Sequence, residues 1–599
     1  MLTLIKEIFS LLTSNQKHRY YSLQIMVLFM AFAELFGIAS IGPFMALVAD
    51  INLLQTNAFF NRLYVASGLS DPLEFLFLAG LTVLAMLALA SVVSIVSTWR
   101  LSLFAYSVGT EIGDRLYQYY LNQNWLFHAA SSSAQLTKKI TNEARRVTEH
   151  IILPLMQMNA RLVMTILIGT ALLIYNPVVA AIGLLAFSSG YVIIYKVFRK
   201  RIAQYGKNIS TASAKRFQLM NEGFGGIKDI LLLDRSQSYV ELFQDTGKTL
   251  ARAQGVNSAL GQVPRFFMEL LAFGSMISLV LVLIKTYEGT LIQILPVLAV
   301  YALAGFKLLP ALQQIYASFT TIRGGMAGFE SIKPDLIASR QPPIIGARPS
   351  EVISLVGAKF IKFDDISFTY PNKKEAALDR VSINIAINST VGFVGESGSG
   401  KSTAIDILLA LIEPDQGHLM LDDLVIDQGN RKAWQKHIGF VPQSIFLTEG
   451  TIAENIAFGL RAKEIDLGKV KQAARLANLE ELAASLPEGL DTRVGERGVQ
   501  LSGGQRQRVG IARALYNETS ILVFDEATSS LDGITEKVIM DAIHDLGGQK
   551  TIILIAHRLK TVQKCNVIYL FSRGRVIARG SYDELLEKNA YFREMAKLA

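Results

Sequence analysis

The chain of 599 residues has one cysteine and few charges. A lone cysteine, Cys565, excludes an intrachain disulfide framework and any multi-cysteine metal site, and it fits a reducing compartment for the part that carries it. Its plainest reading is a small buried apolar residue. Charged residues make up 18% and hydrophobic ones 51%, which is too apolar for a wholly soluble protein of this length. No fixed-period repeat or low-complexity tract is present, and the N-terminus has no charged-then-apolar leader with a small-residue cleavage site, so no removable signal peptide is expected. The net charge of +9 raises nucleic acid as a partner, but cations gathered beside apolar runs are explained more simply by membrane orientation. No nucleic-acid partner is expected.

Six apolar runs, 21–49, 73–98, 151–175, 178–197, 260–285 and 290–312, are long enough to cross a bilayer, which takes about 20 residues. Residues 196–252 hold eleven lysines and arginines, whereas the turns at Asn176-Pro177 and 286–289 hold none. The N-terminus, both long loops and the C-terminal half are therefore expected in the cytoplasm. Loops 100–150 and 196–257 are too long for turns and read as helical extensions of the spans. Past Gly328, Pro334, Pro342, Pro343 and Pro349 mark a linker. Beyond it, Ile366, Phe368 and Tyr370 alternate with polar residues, as do Val381, Ile383, Ile385 and Ile387, which predicts half-buried antiparallel strands. A strand from Thr390 to Val394 and a helix from Thr403 to Ile412, stopping before Pro414, flank a glycine-rich loop. Thr451 and Glu454 form a capping box that opens a further helix.

The loop reads Gly395, Glu396, Ser397, Gly398, Ser399, Gly400, Lys401, Ser402, followed by Thr403. Its glycines let backbone N–H groups approach phosphate oxygens, while Lys401 reaches the outer phosphates of ATP and Ser402 holds Mg²⁺. The apolar run Ile521-Leu522-Val523-Phe524 delivers Asp525 toward the metal and Glu526 toward the attacking water. Between them, Leu501, Ser502, Gly503, Gly504 and Gln505 precede a helix, so the Ser502 hydroxyl and nearby N–H groups form an anion site at a helix N-terminus. Together these motifs predict ATP hydrolysis.

In this order the motifs resemble those of the ATP-binding cassette (ABC) transporters, and the likeness covers essentially the whole chain. It implies an all-α six-helix transmembrane exporter domain over 1–328, a linker over 329–357 and an α/β P-loop nucleotide-binding domain over 358–599. The resemblance further implies that Tyr370 stacks on adenine, that Gln443 touches Mg²⁺ or water, and that His557 contacts the γ-phosphate. Ser529-Ser530-Leu531-Asp532 matches the D-loop apart from Ser530, where alanine is commoner, and Glu496-Arg497-Gly498 looks like the cross-talk loop of exporters. The Ser502 side is implied to close over ATP from a second subunit, giving a homodimer with two competent sites and twelve spans. Gly223 to Asp234 lies where exporters place a coupling helix. An ATP-gated channel or regulator tends to lose Glu526-type chemistry, which this chain keeps.

Four cations, Arg100, Arg161, Arg265 and Lys307, lie in or near the spans toward their cytoplasmic half. Such groups are costly and usually face a cavity, which suits an anionic cargo; equally, Arg265 with Glu269 or a partner such as Glu34 are possible structural pairs, and Arg100 can snorkel. Residues 51–71 hold Phe59, Phe60, Leu63 and Tyr64 at helical spacing, expected on the outer leaflet. With Val263-Pro264-Arg265 and Phe306-Lys307-Leu308-Leu309-Pro310, this segment resembles the lipid-linked oligosaccharide flippases of bacterial protein N-glycosylation, implying an anionic polyprenyl-pyrophosphate cargo and a bacterial inner membrane. A lipid A or drug exporter is the alternative.

Overall fold

The computed structural model describes residues 2–175, 177–286, 291–340, 353–371, 373–495, 498–526, 536–537, 540–541, 548–556 and 558–598. The polypeptide divides into two compact units, one of residues 1–123 and 131–342, the other of 124–130 and 343–599.

In the first unit α1 (Leu2–Leu11) leads to α2 (Ser14–Ala49), whose start is fixed by a capping box between Thr13 and Gln16. Two short helices, α3 (Leu53–Thr56) and α4 (Ala58–Ser67), precede α5 (Pro72–Leu121), which begins with the Asp71 side chain accepting from Leu73 N and Pro72 in the first turn. After α6 (Trp125–Ala130), which belongs to the second unit, come α7 (Ser133–Lys138), α8 (Ala144–Val147) and α9 (Leu153–Tyr175), joined by π-helical turns Lys139–Glu143 and Thr148–Ile152. Then follow α10 (Pro177–Gly225), α11 (Ile227–Leu232), α12 (Ser236–Thr286) and α13 (Leu291–Ala338).

Among the described residues three helical stretches, Ser14–Ala49, Pro72–Leu121 and Ser133–Ile174, are long and apolar enough to cross a membrane. Leu81, Leu84, Leu89, Val92 and Ile95 of α5 are exposed, an apolar surface that suits lipid rather than water. The expected helical extensions are present, since α5 continues to Leu121 and α10 to Gly225. α13 runs ten residues beyond position 328, where the linker was expected to begin. Its charged end is anchored: Tyr120 Oη and Lys139 Nζ both donate to Asp335 Oδ2, at 2.6 and 2.8 Å. Residues 341–352 of the expected linker and the turns at 176 and 287–290 lie outside the described residues.

The second unit has two sheets. β1 (Phe360–Phe368), β2 (Leu378–Ala386), β4 (Gln416–Leu421) and β5 (Leu424–Val425) form an antiparallel sheet in the order β2-β1-β4-β5. β3 (Thr390–Gly395), β6 (Ile438–Val441), β7 (Ile521–Asp525), β8 (Thr551–Ile555), β9 (Val567–Ser572) and β10 (Arg575–Gly580) form the other, in the order β10-β9-β3-β8-β7-β6. It is parallel except for β10. β3 is buried along its whole length, as a central parallel strand must be. The helices are α14 (Lys401–Leu408), α15 (Arg431–Gln435), α16 (Ile452–Ile456), α17 (Leu467–Leu476), α18 (Glu480–Ser485), α19 (Gly503–Tyr516), α20 (Tyr582–Lys588) and α21 (Ala590–Leu598). The Thr451–Glu454 capping box opens α16 as expected.

Two sequence expectations need correction. β1 stops at Phe368, before Tyr370, because the Thr369 amide turns to the Asp415 carboxylate at 2.7 Å. α14 spans Lys401–Leu408 rather than Thr403 to Ile412. Ala410 takes a left-handed φ of 50°, and the amides of Leu411 and Ile412 fold back onto Asp406 O.

Candidate functional site

The site is built at the carboxyl ends of the parallel strands β3, β7 and β6, with β8 between β3 and β7. β3 ends at Gly395 and α14 starts at Lys401, so residues 396–400 must turn within a few ångströms. Gly400 does this with φ 105°, and a Cβ there would stand 2.7 Å from Ala377 O, so only glycine fits. Lys401 is 5% exposed, and its Nζ donates to the carbonyls of Gly395 and Glu396, both at 2.8 Å. Burial lowers its pKa, opposed by the charges of Glu526 and Asp525, which places all three in one neighbourhood. Ser399 Oγ is buried without a partner. A glycine-lined turn with a buried ammonium and an unengaged hydroxyl fits the phosphates of a nucleotide.

Tyr370 belongs to the same place. Its hydroxyl lies 3.3 Å from Thr403 Oγ1 and its ring meets Phe368 edge-on at 5.0 Å. On the other side, β7 ends in Asp525, and Glu526 takes a left-handed φ of 49° with its amide donating to Ile555 O at 3.2 Å. Gln443 follows β6, the neighbour of β7, and its Nε2 donates to Glu526 Oε2 at 2.7 Å. The expected catalytic pair Gln443 and Glu526 is thus joined directly.

Ser502 caps α19: its Oγ accepts from Gln505 N at 3.2 Å and its own amide donates to Gln505 Oε1 at 2.7 Å. This presents Ser502, Gly503, Gly504 and Gln505 as one helix start. Among the described residues no hydrogen bond joins them to Gly395, Glu396, Ser397, Gly398 or the rest of the phosphate loop. His557, Asp532 with its D-loop neighbours, Glu496 and Arg497 lie outside the described residues.

The membrane cations are engaged within the first unit. Lys307 Nζ meets Glu34 Oε2 at 2.7 Å, where Glu34 also accepts from Ser94 Oγ, and Arg265 pairs with Glu269 at 2.8 Å. Arg161 donates to Met164 Sδ at 3.6 Å, and Arg100 lies 5.9 Å from the Trp99 ring centre. An anionic cargo at Lys307 or Arg265 has a carboxylate to displace.

The description "ABC transporter transmembrane region" matches residues 23–301, and "ABC transporter" matches residues 378–529. An ATP-dependent lipid A-core flippase of Idiomarina loihiensis is 30% identical over 83% of this chain and 84% of its own length. The chain belongs to the ABC exporters. A solved bacterial Atm1-family ABC exporter with ATP bound has the same fold, with TM-score 0.79 and 21% identity over 97% of this chain and 98% of its own. A lipid A-core flippase of Pseudoalteromonas atlantica is 28% identical over 94% of both chains. This exporter is a membrane half-transporter that couples ATP hydrolysis to transport.

Sequence reasoning missed two contacts near the exporter's nucleotide site. Trp125 lies close enough to Asp406 of α14 to oppose the upward shift of its carboxyl, and Leu126 packs on the core beneath. Gly574, in the β9–β10 turn, donates to Ser399 O at 3.0 Å. Neither has a local signature; both depend on chain segments far apart in sequence.

Proposed function

We propose that two copies of this exporter assemble into a homodimer in a bacterial inner membrane, cassettes in the cytoplasm, and move an anionic glycolipid to the outer leaflet. The observation that carries the cargo class is the 30–31% identity to lipid A-core flippases over 84% and 68% of their lengths. Lys401 and the loop amides bind the phosphates, Glu526 orients and polarises the water, and Gln443 holds Glu526 in position. Ser402, Asp525 and Gln443 offer oxygen ligands suited to Mg²⁺, which supplies charge neutralisation on the phosphate oxygens when bound. Ser502 completes the site of the partner subunit. α11 and its flanks expose Phe224, Leu231, Leu232 and Leu233, an apolar face suited to docking on the partner's cassette.

A lipid-linked oligosaccharide is the second reading, favoured by α4. Phe60 and Tyr64 turn inward onto a cluster of Leu47, Leu54 and Phe75, while Phe59 and Leu63 stay exposed on a helix able to lie in a lipid interface. Proteoliposomes loaded with fluorescent lipid A core or with a polyprenyl-pyrophosphate oligosaccharide test both. ATP-dependent movement of the first alone supports the lipid A class. Movement of the oligosaccharide lipid alone shifts the assignment to the second, and movement of neither rejects the glycolipid proposal.

A further inference from the structure

Uncharged amide side chains gather at one level of the first unit. α2, α9 and α13 pack on one another around an apolar seam that includes Ala31, Met164 and Ala311. Toward the ends that face the cytoplasm in the orientation proposed above, the seam gives way to Gln24 on α2, Gln157 and Asn159 on α9, and Gln314 on α13. They bridge the helices in two pairs: Asn159 Nδ2 donates to Gln24 Oε1, and Gln314 Nε2 donates to Gln157 Oε1 at 3.1 Å. The pairs use only part of the bonding capacity, because each amide carries two N–H donors and an oxygen that can accept twice. Gln24 Nε2 is buried without a partner, and among the described residues Gln157 Nε2, Asn159 Oδ1 and Gln314 Oε1 make no hydrogen bond. All four residues are half-buried, so they stand at the edge of the packed seam.

We propose that these four amides form the subsite that binds the neutral sugar portion of the cargo headgroup, an inference that rests on the glycolipid reading above. A sugar hydroxyl donates and accepts at once, so neighbouring hydroxyls match a row of amides with donors and acceptors left over. Lipid tails offer such a row no hydrogen bond, and phosphate is gripped best by cations. The level fits as well, since a headgroup in the cytoplasmic leaflet meets this end of the helices first. Amides also serve as glue between membrane helices, but glue is complete when every group is satisfied, and here the Gln24 donor is left over. The Lys307–Glu34 pair lies deeper along α13 and α2, so the sugar subsite does not depend on whether that pair opens.

The test uses the full-length exporter in proteoliposomes, with Gln157→Leu plus Gln314→Leu in one variant and Gln24→Leu plus Asn159→Leu in another. Replacing a pair together strands no amide. The readout is the apparent Kd of fluorescent lipid A core, of a polyprenyl-pyrophosphate oligosaccharide and of phosphatidic acid, an anionic lipid without sugar. Each variant should bind the glycolipid that the wild type moves about ten-fold more weakly, the size of two lost neutral hydrogen bonds, and should bind phosphatidic acid as the wild type does. An equal loss for both kinds of lipid, no loss in either variant, or a loss that accompanies a lower melting temperature assigns the amides to helix packing and overturns the subsite. A wild-type exporter that moves neither glycolipid brings down the function proposed above together with the subsite. If the wild type moves one and both variants bind it normally, the subsite alone falls.

Discussion

At the residue scale the proposed hydrolysis rests on Glu526, which accepts from Gln443 Nε2 at 2.7 Å. Glu526→Gln should retain ATP binding and lose hydrolysis by at least about 100-fold, since the group that polarises water is gone while Lys401 stays in place. Near-normal turnover of the purified variant would reject the role. The Lys307–Glu34 pair makes a second prediction. Glu34 is buried among apolar helices, so Lys307→Gln leaves a stranded carboxylate, whereas Glu34→Gln with Lys307→Gln removes both charges. The single variant should melt at lower temperature than the double one. If the double variant also flips cargo normally, the pair is a structural clasp and the anion-cavity reading fails. The phosphate-loop and Glu526 residues were legible in sequence because their spacing is local. The carboxylate partners of Lys307 and Lys139 were not fixed by sequence, because pairing across helices leaves no periodic trace.

Among elements, strands and caps were easier to read than ends. β1 and β2 follow their alternation, and the capping box at Thr451 begins a helix as local chemistry requires. The end of α14 was not legible, because a left-handed Ala410 is dictated by the fold around it and alanine carries no signal for it. α14 also carries Asp406, whose carboxyl is pushed up to about 6 by burial and by the charge of Asp525, with the Trp125 side chain opposing. The folded state therefore holds this proton more tightly than the unfolded chain, whose carboxyl titrates near about 3.9. Its contribution to stability is fully present below about 4, falls as pH rises to about 6, and is flat above. Asp406→Asn should remove that slope from the pH dependence of thermal unfolding, and Trp125→Phe should extend it to higher pH. A slope unchanged in Asp406→Asn would assign it to another group.

For the molecule as a whole, the helix start at Ser502 has no bond to its own phosphate loop among the described residues, which is what a site completed by a second subunit requires. Mixed dimers check this. A Lys401→Ala subunit combined with a Ser502→Arg subunit should regain about half of wild-type ATPase from one intact composite site, where either variant homodimer is inactive. Activity no better than either homodimer would rule out the shared site. The strand order has a kinetic meaning as well. β3, which opens the phosphate loop, finds its sheet partners at Ile553 and Val567, more than 150 positions later in the chain. Such distant parallel pairing forms slowly, so the nucleotide cradle is among the last features to appear during synthesis. Until the chain has grown past β9, no ligand can favour the folded form by mass action. Nucleotide capture therefore marks the completion of the sheet around β3, and a nascent cassette stopped before residue 550 should be unable to hold ATP.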